Sequence, residues 1–152
     1  MRELLSLCVA ALAALGLASP ASAYSFSPKN SAISGDGVVS FVEGSSRLSC
    51  AATFSGSSNS AGVIKISKIT FRFCDAPTPL GLPWTLQAMS ASKATIDDIG
   101  FSKVFGGVCG AGDLPVTVSP SHVSGFAFDA VLKGKCRLEG TFSVKQFLQI
   151  VK

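Results

Sequence analysis

Arg47 to Cys74 reads RLSCAATFSGSSNSAGVIKISKITFRFC, and its pattern decides the fold. From Arg47 to Ser55, Leu48, Cys50, Ala52 and Phe54 share one parity, while Ser49, Ala51, Thr53 and Ser55 share the other. Period-two alternation marks a half-buried strand and points Cys50 inward. Gly56 to Gly62 is rich in Gly, Ser and Asn and reads as a flexible turn. Val63 to Phe73 alternates again, with Ile69, Phe71 and Phe73 on one side and Lys68, Thr70 and Arg72 on the other. Cys74 ends that strand. The stretch is the core of a small β protein.

Upstream, Leu4 to Leu17 is an apolar run after a weakly charged start, and Pro20 precedes Ala21-Ser22-Ala23. An apolar run closed by a small-x-small site predicts a secretory signal peptide over residues 1–23, too short and wrongly flanked for a membrane span. Residues 24–37, YSFSPKNSAISGDG, are rich in Ser, Pro and Gly and predict an extended N-terminal arm. A single β domain is expected over residues 38–152.

Downstream, short strands are expected at Trp84–Met89, Lys93–Phe105, Leu114–Val118, Gly125–Leu132 and Cys136–Val144, with a β-prone tail at Gln146–Lys152. Pro77, Pro79 and Pro83 predict a fixed loop between Asp75 and Pro83. Gly106–Asp113 reads as a glycine-rich loop. It is not a phosphate-binding loop, because a strand rather than a helix follows it. Turn signals every 8 to 12 residues or so indicate an all-β sandwich or barrel. The preferred architecture is a two-sheet antiparallel sandwich of jelly-roll or immunoglobulin-like type.

The cysteines sharpen this reading. Of five, Cys8 lies in the leader, which leaves Cys50, Cys74, Cys109 and Cys136. An even set in an exported chain implies two disulfides. Parity favours Cys50 with Cys136, both inward, and Cys74 with Cys109, both at loop edges. The sequential pairing, Cys50 with Cys74 and Cys109 with Cys136, is the close alternative. No CxxC pair and a single histidine argue against a metal site.

Charge is sparse. Removing Arg2 and Glu3 with the leader keeps the net charge at +4, and only Lys133-Gly134-Lys135-Cys136-Arg137 gathers positives. Nucleic-acid binding wants a basic stripe with recognition elements, which is lacking. Such a cluster reads instead as a solvated strand edge. Few charges among many Gly, Ser, Ala and Thr residues make a weakly polar surface that can adhere to apolar material. Catalysis finds little support. His122 is the one imidazole and no GxSxG elbow surrounds any serine. Asp97 and Asp98, as strand neighbours, should point to opposite faces. No enzyme activity and no cofactor are expected.

Several stretches fall in a familiar order. Phe26-Ser27-Pro28 is followed by LSCAATFSG from Leu48 to Gly56, then by Gly81-Leu82-Pro83-Trp84 and Ala94-Thr95-Ile96. Cys109-Gly110-Ala111-Gly112 and GKCRLEGT, from Gly134 to Thr141, complete the set. Together they resemble the bacterial secreted family named protein activator of alkane oxidation, over most of the chain. The charged strand from Lys65 to Arg72 departs from the family's Ser/Thr-rich pattern. The resemblance implies an extracellular, non-catalytic protein that helps cells use hydrocarbons by coating or dispersing oil. Its partners would be hydrocarbon, another apolar surface or cell-surface components. Leu82, Trp84, Phe101 and Phe105 are the candidate apolar surface, with burial in the core the competing fate for each. The alternative role is a structural or adhesive subunit that self-associates, its N-terminal arm and its tail adding strands to a neighbour.

Overall fold

The computed structural model describes residues 23–119 and 122–152. The expected signal peptide lies outside them, save for Ala23. The described residues hold eleven strands and no helix. They are β1 (Ser25–Ser27), β2 (Ala32–Glu43), β3 (Ser46–Ser58), β4 (Ile64–Arg72), β5 (Thr78–Leu80) and β6 (Trp84–Ala88). Then come β7 (Lys93–Val104), β8 (Gly107–Val118), β9 (Gly125–Val131), β10 (Arg137–Val144) and β11 (Gln149–Val151).

Sequential hairpins build the wall. β2, β3, β4, β6, β7, β8, β9 and β10 each pair with the next, all antiparallel. β10 then pairs back onto β2, from Arg137 opposite Val42 to Val144 opposite Gly35. The result is a closed eight-stranded meander barrel rather than a two-sheet sandwich. Alternation could not separate the two, since either fold buries one parity of every strand. Closure decides it, because every wall strand then has a hydrogen-bonded neighbour on each side.

Apolar side chains fill the interior. Val39, Phe54, Leu86, Ile96, Leu114 and Leu138 are all buried. Between them, outward positions such as Ser55, Lys65, Asp113, Asp129 and Thr141 are exposed. This is the reverse of a transmembrane barrel, whose apolar band faces lipid. Inside, small residues make room for large ones. A Cβ added at Gly140 would sit 2.7 Å from a Phe128 ring carbon.

The two ends differ. β1 and β11 form a separate ribbon, Ser25 opposite Val151, that covers one end. Phe26 is fully buried there, its ring edge-on to Phe126 at 6.5 Å, and the Val123 N–H donates to the Leu148 carbonyl. Toward the other end, the Phe101 ring meets Phe41 at 5.0 Å, Trp84 at 5.2 Å and Phe71 at 5.8 Å.

Several expectations need correction. Residues 32–37, expected in the arm, are the first half of β2, and Ile33 is buried. The glycine-rich stretch after Gly106 is strand, because the turn is completed at Phe105-Gly106 and β8 pairs with β7 from Gly107 onward. Thr78–Leu80 is a short strand on β7 despite Pro79. The disulfides are Cys50–Cys74 and Cys109–Cys136, not the pairing parity favoured. Cys50 on β3 is separated from Cys136, just before β10, by the whole of β2. Two strand spacings, about 10 Å, exceed the reach of a disulfide.

Candidate functional site

Eight-stranded barrels either fill their lumen or keep room for one small ligand. This lumen is filled. The free space inside amounts to about 30 Å³, and its lining, which includes Phe54, Ile69, Trp84, Phe101, Phe126 and Phe142, is apolar throughout. A dry cavity of about 150 Å³ is the scale at which benzene binds. No alkane chain fits here without repacking the barrel.

The four residues expected to form an apolar surface are not one patch. Trp84 and Phe101 are 2% and 1% exposed, so they are barrel core, and the reading of them as surface is corrected. The Trp84 indole N–H donates to the Leu80 carbonyl oxygen at 2.7 Å, which ties the proline-rich connection to the wall. Leu82 is half-buried against the core. Phe105 alone is exposed, at 42%, in the β7–β8 turn.

The exposed apolar side chains are others. Phe73 is 92% exposed, Val131 69% and Val108 58%. Phe73 stands at φ 61°, in the left-handed region, between Arg72 at the end of β4 and Cys74. Strand parity predicts an inward Phe73; that backbone turn breaks the parity and sends the ring into solvent. Disulfide bonding of Cys74 to the inward Cys50 holds the chain at this point. The only sequence signal was a cysteine adjoining the last alternating residue.

Beside Phe73 lies an open groove on the barrel wall, about 480 Å³ in volume. Val38 and Ala51, directly opposite one another on β2 and β3, form its floor with Gly37 and Thr53. Arg72 and Phe73 line one part, Asp36 and Lys145 another, and the latter two pair at 3.4 Å.

Elsewhere, one cluster of charged groups is engaged with itself. Arg137 binds both Asp129 and Glu139, and Glu139 also binds Arg47. The Arg137 hydrogen bonds hold the Asp129 carboxyl below the usual carboxylate range and raise the guanidinium in turn. Asp97 and Asp98 occupy a bulge between the inward Ile96 and Ile99, so both acids sit on the outer wall, contrary to the opposite-face expectation. Partial burial raises the Asp97 carboxyl, and the nearby Asp113 and Asp98 charges add to this against the pull of Lys65. His122 stacks on Phe147 at 4.6 Å. Among the described residues, no three His, Cys, Asp or Glu side chains are grouped to hold a metal ion. No helix among them is long and apolar enough to cross a membrane.

The fold and its surface define a disulfide-linked, all-β meander barrel with a packed interior. The chain belongs to the family of PraA/PraB-like alkane oxidation protein activators, which it matches over its whole length, residues 1–152. No curated protein and no solved structure matches it.

Proposed function

We propose that this protein is an exported, non-catalytic accessory of hydrocarbon use that works by adsorbing to apolar material through its outer surface. The observation that carries this reading is the filled lumen: with about 30 Å³ inside, hydrocarbon has to be met from outside. The family's description as an activator of alkane oxidation supports the setting. Two disulfides support an oxidising compartment outside the cytoplasm. Large exposed side chains such as Phe73, Phe105, Val108 and Val131 supply apolar contact on a surface they share with polar and charged residues.

Adsorption of the mature protein to hexadecane droplets tests the reading, against an unrelated β protein of equal net charge. Preferential coating of the droplets is expected. Equal partitioning of the two proteins would sink the idea.

A further inference from the structure

Phe73 is hard to account for as packing. Its ring is 92% exposed and buries almost nothing, yet its backbone is held in a region that L-residues with large side chains rarely adopt. Strain without a packing return is often found where a chain presents a side chain for contact. What the ring adjoins is a groove of about 480 Å³, within the range of small-molecule sites. Its floor of Gly37, Val38, Ala51 and Thr53 is flat because those side chains are small, and Val38 is itself 50% exposed.

The charges at the groove are unequal. Lys145 is paired with Asp36, whereas Arg72 has no ion-pair partner among the described residues. One guanidinium is therefore left over, beside an aromatic ring and a strip of aliphatic floor. That arrangement complements a molecule with an apolar chain and an anionic end, which a guanidinium can grip with two parallel hydrogen bonds.

We infer that the groove beside Phe73 binds one aliphatic chain ending in an anion, of the long-chain carboxylate class. The chain lies over Val38 and Ala51 against the Phe73 ring, and the carboxylate pairs with Arg72. This rests on the reading that the protein meets hydrocarbon, and it adds a defined site and a polarity to that reading. An alkane oxidised at one terminus to the acid is such a molecule.

The test titrates laurate, below its micelle concentration, into the disulfide-bonded protein while backbone amide shifts are followed. Saturable shifts centred on residues 36–38, 51–53 and 72–73 are expected. Phe73→Ser should weaken laurate at least tenfold, and its exposed position leaves the fold intact. Arg72→Gln should weaken laurate but leave 1-dodecanol unchanged, and dodecyltrimethylammonium should bind more weakly than laurate. No saturation, shifts centred elsewhere, or indifference to both substitutions would overturn the site. Wild-type protein that coats hexadecane but ignores laurate removes the groove and spares the surface reading. Saturable groove binding without droplet adsorption does the reverse.

Discussion

Cys109, on β8, is bonded to Cys136, the last residue of the turn that follows β9 and leads into β10. They join where β8 and β9 have already ceased to pair: only Thr117 with Ala127 and Val118 with Phe126 are in register. Pro115 has no N–H to continue the ladder. The Gly110 N–H, donating to the Lys133 carbonyl at 2.8 Å, is the other clasp on this seam. The two disulfides span similar sequence separations, 24 and 27 residues, so loop entropy alone gives each about 3 kcal/mol. Replacing Cys109 and Cys136 by Ser should cost more than replacing Cys50 and Cys74. Amide exchange should quicken in residues 113–118 and 125–131. Equal losses with unchanged exchange would show that the seam holds without its bond.

The interior gives a second expectation. Trp84→Ala should cost about 3–5 kcal/mol in denaturant unfolding, since it removes a buried ring in contact with Phe101. The cavity left behind should admit benzene or xenon, which the wild-type barrel excludes. In the wild type, the emission of this single tryptophan should not change on saturation with alkane. A shift would mean that apolar ligands reach the lumen.

Gly140→Ala should destabilise by about 1–3 kcal/mol through overpacking. The new methyl would press on the Val38 carbonyl oxygen as well as the Phe128 ring. Trimming Phe128 to Leu should therefore fail to restore stability. Rescue by that second change would mean the ring alone is the obstacle.

Asp97 offers a pH dependence. Its folded-state carboxyl is raised, first by burial and then by Asp113 and Asp98. The folded protein thus binds this proton more tightly than the unfolded chain, and stability falls as pH rises from the unfolded value through the raised one. Asp97→Asn should lift the melting temperature near neutral pH by on the order of 1 °C, a gain that fades as pH drops below that window. The Asp129 carboxyl is lowered and runs the other way, its contribution being lost as pH falls through its folded value. A melting profile for Asp97→Asn parallel to wild type across this range would contradict the assignment.

Phe73→Gly should raise stability by about 1 kcal/mol, because glycine adopts a φ of 61° without strain and the lost ring was buried against nothing. Chemical denaturation measures this directly. A loss of stability would mean that the ring packs on the wall in solution.

What the sequence disclosed was the inner face. Leu48, Cys50, Ala52 and Phe54 turn inward as alternation demands, because a wall strand with one dry side has no other stable parity. Closure was not legible, since the pairing of β10 with β2 depends on accumulated twist and tilt rather than on any local residue. The disulfide choice failed for the same reason: Cys50 and Cys136 share an inward parity but not a neighbouring strand. Asp97 and Asp98 were misread because a bulge puts two residues where alternation allows one. The groove was hidden by Phe73, which alternation assigned to the core and a single positive φ removed from it.

The pairing of β1 with β11 has a mechanical meaning. Ser25 faces Val151, so tension applied at the two ends of the domain peels this ribbon one residue pair at a time. The load then passes to β2 and β10, whose outermost register pair, Gly35 with Val144, is again the one nearest the pulled ends. Pulling from the ends therefore unzips the barrel instead of shearing it. The two covalent loops, Cys50–Cys74 and Cys109–Cys136, survive as knots that cap how far the chain can lengthen. A barrel tethered by one pole would yield softly, then stop.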